Sequence, residues 1–221
     1  SGRQHSGPPP MGIQIADIAG GSLHSVIGIL AAVIERQRSG LGQYIDISMT
    51  DCVVGLSSMA AAASLAGQEK QGPEQSYLNG ATFYDYYETQ DGRYLSIGSL
   101  EPQFLYGLAQ ILELPIVAEK GASLATEDRQ VVKQAIKDKI KTQDFATWNA
   151  IFQQQDVCVE PVLKLDEALD SQLAKDRAWV VSVPLQEGST KSEQQLACPI
   201  KFSRSKIRYE FIGKPLGFDS L

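Results

Sequence analysis

Apolar side chains recur at helical spacing early in the chain. Leu23, Ile27, Leu30, Ala31 and Ile34 follow the double glycine Gly20-Gly21, and Ser39-Gly40 closes the run with Arg36 and Arg38 in its last turn. The pattern predicts a helix of about four turns with one apolar face. Gln43–Ile47 reads as a short β segment. Ser48 and Asp51 then stand at capping-box spacing and open a second helix running toward Gly67. That helix carries Ala60-Ala61-Ala62-Ala63, small side chains that allow close packing against another element, in the core or across a subunit contact.

Residues 68–80 are polar and rich in Gln, Glu and Gly, the composition of a connector. Beyond them the period changes. Thr82–Thr89 and Arg93–Gly98 alternate as strands about Gln90-Asp91-Gly92, a strong hairpin signal. After Leu100-Glu101-Pro102 a helix runs to about Glu113, with Pro102 in its first turn. Thr126 is placed to cap a helix whose Val132, Ile136 and Ile140 share one face; Asp144 is placed to cap another carrying Phe145, Trp148 and Phe152. Val157–Leu163 predicts a short strand interrupted by Pro161. Asp166 opens a helix through roughly Lys175, Val180–Val183 returns to strand, and Cys198–Tyr209 forms one more strand or extended segment. The fold class expected is α/β, in two parts joined near residues 68–80.

Composition narrows the partners. Hydrophobic residues make up 43% of the 221 and charged residues 21%, an ordinary balance for a folded protein. Twenty Lys and Arg against 26 Asp and Glu give a net charge of −6, the wrong sign for a protein that neutralises phosphate backbones. Nucleic acid is therefore not an expected partner. Cys52, Cys158 and Cys198 are too scattered for a disulfide framework and form no CxxC pair, so reduced thiols in a cytoplasmic protein are expected. The Ala-rich run Ala60–Ala66 is short of the roughly 20 residues that span a bilayer, so no membrane is expected. The chain opens Ser1-Gly2-Arg3 without Met and continues through Pro8-Pro9-Pro10 as an exposed linker, which suggests a piece of something longer.

Generic chemical motifs are absent: no Gx4GK[ST] loop, no GxSxG elbow, no HExxH. The histidines, His5 and His24, are read as a linker residue and a packing or surface residue, and no metal site is expected. Two carboxylates stand out by position. Asp17 follows the apolar Ile13–Ala16 and precedes Gly20-Gly21 at a helix start, where free N–H groups and the helix dipole favour an anion. Glu101 stands between a strand and the helix opened by Pro102, again at an N-terminus. On the local pattern alone either acid reads first as a dipole partner or cap of its helix's first turn.

Longer motifs change those odds. Ile15-Ala16-Asp17-Ile18-Ala19-Gly20-Gly21-Ser22 resembles the Asp-x-x-Gly-Gly motif of the class III CoA-transferase (CaiB/BaiF) superfamily, and Gly28-Ile29-Leu30-Ala31-Ala32-Val33 continues as that family's next helix does. The segment from Ser39 to Asp51 is similar to its TGxGQxVDxSMxD signature. Asp91-Gly92-Arg93-Tyr94 and Gly98-Ser99-Leu100-Glu101-Pro102-Gln103-Phe104 resemble the hairpin and GxxEPQF segment of its α-methylacyl-CoA racemases. The segments from Asp156 to Val162 and from Pro199 to Ser203 are weaker matches.

The resemblance implies an acyl-CoA thioester substrate with no further cofactor. It also implies a small α/β domain and the trailing part of a large Rossmann-like domain, normally in an interlocked dimer. On that reading residues 1–67 belong to the large domain, 68–80 link, 81–184 form the small domain and 185–221 return toward the large one. Racemisation passes through an enolate, so two acid/base groups must flank one carbon while donors meet the oxyanion. The resemblance makes Asp17 one acid/base, sets Gly20 and Gly21 near the thioester, and gives Glu101 the support of a histidine on the other face. In racemases that histidine lies upstream of the aspartate motif, together with most CoA contacts, and neither has a counterpart here. The segment Lys214 to Asp219 stops where family members continue into a terminal helix.

Two alternatives stay open. A CoA-transferase would use Asp17 as a nucleophile on the thioester; such enzymes usually carry a glycine-rich loop near the second domain, where this chain offers only Gly80. Otherwise the chain is a non-catalytic subunit, or one completed by another chain, such as a complementary N-terminal one or a second copy.

Overall fold

The structure, a computed structural model, describes residues 2, 5, 7–67, 72–123 and 125–213. Residues 68–71 of the expected connector and the tail from Lys214 lie outside the described residues. The chain divides into two compact units, Ser1–Pro161 and Val162–Leu221.

The first unit opens on more helix than apolar spacing predicts. A π-helical segment, π1 (Ile15–Ser22), runs directly into α1 (Leu23–Ser39). Gly20-Gly21 therefore lies inside the helix, not ahead of it, and packing explains why it is glycine. A Cβ at Gly20 would stand 3.2 Å from Val53 Cγ2, and one at Gly21 3.3 Å from Met49 Cγ, so bare backbone lets α2 (Met49–Leu56) seat on π1. At Gly28 a Cβ would meet Ile45 Cγ2 and Ile47 Cδ1 at 3.2 Å. Residues 43–47 thus run along that side of α1, but as extended chain: among the described residues they pair with no strand, so the expected β segment has no ladder. Gly40, at φ +77, ends α1 with its N–H on Arg36 O at 2.9 Å.

The second expected helix is broken. Ser48 Oγ accepts from Asp51 N at 3.3 Å and starts α2, but the helix stops at Leu56 and α3 (Ser58–Leu65) follows. Ser57, between them, donates its hydroxyl to Val53 O at 3.3 Å, the local competition that makes serine a poor helix-interior residue. No residue of α1, α2 or α3 is buried. Leu23, Val26, Ile27, Leu30, Val33 and Ile34 form a broad apolar arc on α1, each between 47% and 60% exposed. Within the continuous helix Ile15–Ser39 an 18-residue window reaches a mean hydropathy of 1.7, so the helix is long and apolar enough to cross a membrane by length and composition. Uninterrupted apolar runs miss it because polar residues such as His24 and Ser25 divide it.

The buried core belongs to the rest of this unit. β1 (Asp85–Glu88) and β2 (Tyr94–Ile97) form the expected hairpin, Asp85 opposite Ile97 and Glu88 opposite Tyr94, about Gly92 at φ +78. β3 (Val159–Pro161) adds antiparallel to β2, and Pro161, which has no N–H to give a further ladder bond, is its last residue. Four helices share the core with this sheet: α4 (Pro102–Ile111), α5 (Pro115–Lys120), which the apolar spacing does not reveal, α6 (Thr126–Ile140) and α7 (Phe145–Phe152), with α6 against β1, α7 against β3, and α5 between α4 and α6. Val132, Ile136, Ile140, Phe145, Trp148 and Phe152 all enter the core. Trp148 donates its indole N–H to Ile140 O at 2.7 Å and stacks on Phe152, so the largest core side chain leaves no polar atom unpaired. Asp144 caps α7, accepting from Thr147 N at 2.8 Å. Thr126 is the first residue of α6 and not its cap, which is Ala125. Lys133 pairs with Asp85 at 2.6 Å and ties α6 to the sheet.

The second unit holds α8 (Leu165–Asp170), α9 (Gln172–Asp176), β4 (Val180–Pro184) and β5 (Ser192–Leu196). The single helix expected to Lys175 breaks at extended Ser171, whose hydroxyl accepts from Ala174 N at 3.1 Å and starts α9 afresh. The partner of β4 is the polar β5, with Val180 opposite Leu196. Cys198–Tyr209 contains no ladder strand; Cys198 N donates to Tyr209 Oη at 2.8 Å across it.

Candidate active site

Asp17 occupies the first turn of π1 and is exposed. Among the described residues its carboxylate has no hydrogen bond or ion pair; Gln14, the cap residue, makes no side-chain cap, and of the first-turn N–H groups that of Ile15 donates to Ile13 O and that of Ile18 to Gln14 O, each at 3.0 Å. The wide turn is pinned from its own side chains: Ser22 donates its hydroxyl to Asp17 O at 3.1 Å, and His24 Nδ1 lies 2.7 Å from Ala19 O, which makes Nδ1 the donor. Gly20 is buried beneath α2 and Gly21 touches Met49, so both have a packing role of their own.

Glu101 caps α4 with extended backbone, φ −71 and ψ 144. Its carbonyl accepts from Leu105 N at 2.9 Å, and Pro102 at the first helical position needs no acceptor. The side chain makes no capping bond and is exposed, without a hydrogen bond or ion pair among the described residues. Behind it the chain is held tightly. Gly98 N donates to Cys158 O at 2.9 Å, Leu100 N donates to Gly98 O at 2.8 Å, and buried Ser99 donates its hydroxyl to Val157 O. Cys158 has φ +52, unusual for a residue with a Cβ. Its exposed thiol is pushed up in pKa by partial burial, then by the charges of Glu101, Asp156 and Glu160, so it is a poor thiolate nucleophile.

Asp17 and Glu101 thus both stand at helix N-termini with free carboxylates. They belong to different packing sets, the first with α1 and α2, the second with the sheet and α4. No hydrogen bond or ion pair joins them, and no cluster of three metal-ligating side chains occurs among the described residues. The grip of Ser99 on Val157 escapes the sequence, because the two residues lie 58 apart. The only local signal is a small polar residue two places before a Glu-Pro helix start.

A mixed α/β chain with small antiparallel sheets and carboxylates at helix starts defines the class in broad terms, and comparison with known proteins names it. The chain belongs to CoA-transferase family III, whose model matches residues 1–220. It is 38% identical over 183 residues to the α-methylacyl-CoA racemase of Mus musculus, covering 82% of this chain and 48% of that protein. It is 25% identical over 172 residues to the succinyl-CoA:glutarate CoA-transferase of Mus musculus, covering 76% of this chain and 39% of that one. A CAIB/BAIF family protein from Brucella suis has the same fold over 96% of this chain and 55% of its own, with a TM-score of 0.70 and 23% identity. The chain spans about half the length of the curated relatives it matches.

Proposed function

We propose that this chain supplies part of the active site of an enzyme that racemises 2-methylacyl-CoA thioesters. The observation that carries the reading is the identity to racemases, 38% and 32% over 82% and 80% of this chain, against transferases at 25% over 76%, 28% over 91% and 32% over 58% of it. Exposed carboxylates without a protein partner favour it too, since a carboxylate locked in an ion pair is a poor proton acceptor. In this scheme the Asp17 carboxylate takes the proton from the carbon next to the thioester, the electron pair moves to the thioester oxygen, and a proton returns on the opposite face. Glu101 orients the acid/base on that second face, which comes from outside this chain. The uncovered arc of α1 supports a second polypeptide region, a complementary chain or a second copy, in the working enzyme.

The CoA-transferase reading keeps one argument in its favour, the several transferases among the relatives. It assigns Asp17 to attack on the thioester carbonyl, with CoA leaving and an acyl-aspartyl anhydride forming. Heavy water separates the two. The intact protein, incubated with a chiral 2-methylacyl-CoA in D2O, exchanges the α-hydrogen for deuterium if it is a racemase, and Asp17→Asn abolishes the exchange by at least about 10²-fold. No exchange, with an acyl-enzyme trapped by hydroxylamine, overturns racemisation in favour of transfer.

A further inference from the structure

Glu101 owes its place to a clamp in which two successive carbonyls, those of Val157 and Cys158, both accept from the segment just before it, Ser99 Oγ on the first and Gly98 N on the second. In an extended strand successive carbonyls point to opposite sides, so this arrangement needs a local turn of the backbone. The positive φ of Cys158, one residue before β3, marks such a turn. Backbone in that region costs energy for a residue with a Cβ and persists only where the surroundings hold it. Here they do. Val157 is buried, and the place where a Gly107 Cβ would sit lies only 2.7 Å from its Cγ1, so α4 itself presses on the acceptor. On the donor side Leu100 N folds back on Gly98 O, leaving no slack between the clamp and Glu101.

We infer that Ser99 is the positioning residue for Glu101: its buried hydroxyl, fastened to Val157, fixes where the carboxylate stands at the head of α4. The inference rests on the reading of Glu101 as the group that orients the second acid/base. It goes beyond that reading by assigning a role to a residue that cannot itself meet substrate, since it is fully buried. Removal of the hydroxyl leaves the Val157 carbonyl without its partner and gives the Glu101 backbone room to move. A misplacement on the order of 1 Å is worth about 10²-fold in rate.

The experiment is a double-mutant cycle on the intact protein in its native assembly, read as α-deuterium exchange of a chiral 2-methylacyl-CoA. Ser99→Ala lowers kcat for exchange by about 10- to 100-fold and leaves KM within about twofold. On a Glu101→Gln background the same change costs nothing further, because there is no longer a carboxylate to position. Additive losses, or a wild-type rate in Ser99→Ala beside a slow Glu101→Gln, overturn the inference and leave the orienting role of Glu101 intact. Full exchange in Glu101→Gln overturns that reading, and the inference falls with it. Should Ser99→Ala not fold, Ser99→Cys enters the cycle in its place: it is near in size but exchanges the hydroxyl for a weak thiol donor, and the same non-additivity is expected.

Discussion

At Gly107 two rules with opposite signs meet. Alanine in a helix interior is favoured over glycine by about 1 kcal/mol, which by itself makes Gly107→Ala in α4 a stabilising change. The added carbon, however, would stand 2.7 Å from Val157 Cγ1, closer than real contacts come, and Val157 belongs to the core. Overpacking of this kind costs about 1–3 kcal/mol, so the net effect is a loss. Thermal melting of Gly107→Ala is expected to report that loss, and Val157→Ala in the same chain is expected to reverse its sign by making room. Equal effects on both backgrounds contradict the contact. Gly20 and Gly21 follow the same logic: glycine there admits α2, a reason that the local motif does not contain.

At the scale of elements, short-range physics was legible and partners were not. The hairpin turn, the Asp144 cap and the faces of α6 and α7 depend on residues a few places apart, and they stand where spacing puts them. Residues 43–47 have strand composition, but a strand exists only with a neighbour. The polar Ser192–Leu196 has no strand pattern and becomes β5 because β4 is beside it. The breaks at Ser57 and Ser171 come from hydroxyls bonding their own backbone, a competition that apolar periodicity does not register. Asp91 shows what one side chain adds between elements. Its carboxylate, in the turn between β1 and β2, accepts from the Thr89 hydroxyl and from Phe145 N at 3.0 Å, joining the hairpin to the start of α7. Arg93 reinforces the joint by lying 3.9 Å from the Phe145 ring centre. The Thr89 bond first, then the Phe145 N–H and the Arg93 charge, hold the carboxyl below the usual range. A depressed folded pKa contributes stability that is present above the unfolded value of about 3.9 and is lost as pH falls through the lower folded value. Asp128, bonded to Lys120 and Ser123, has the same sign. Asp91→Asn is therefore expected to lower stability at neutral pH and to flatten the fall below about pH 4 in urea-unfolding midpoints. An unchanged acid slope removes Asp91 from the joint.

For the whole molecule, the apolar arc of α1 needs a cover, and its chemistry chooses between lipid and protein. Six large aliphatic side chains about half exposed on one helix make a patch of a size that isolated soluble chains rarely leave open. Length and mean hydropathy admit a bilayer. The far side of the helix does not. Residues 43–47 lie against Gly28 as extended chain without a ladder, and they carry Gln43 and Asp46. Hydrocarbon satisfies neither unpaired backbone groups nor a carboxylate, so a spanning α1 would drag both into a medium that rejects them. A protein surface covers the arc and leaves the other side in water, which favours a second polypeptide region over a membrane. Burying the exposed half of each side chain is worth about 1 kcal/mol at roughly 25 cal/mol per Å², enough for one charge in the arc to undo the contact. The native protein is accordingly expected to run above 24.0 kDa by light scattering. Made in this 221-residue chain, Leu30→Glu is expected to bring the scattering mass down to 24.0 kDa. Neither form is expected to float with neutral phosphatidylcholine vesicles. A fully active 24.0 kDa monomer, or flotation that Leu30→Glu abolishes, overturns the protein cover.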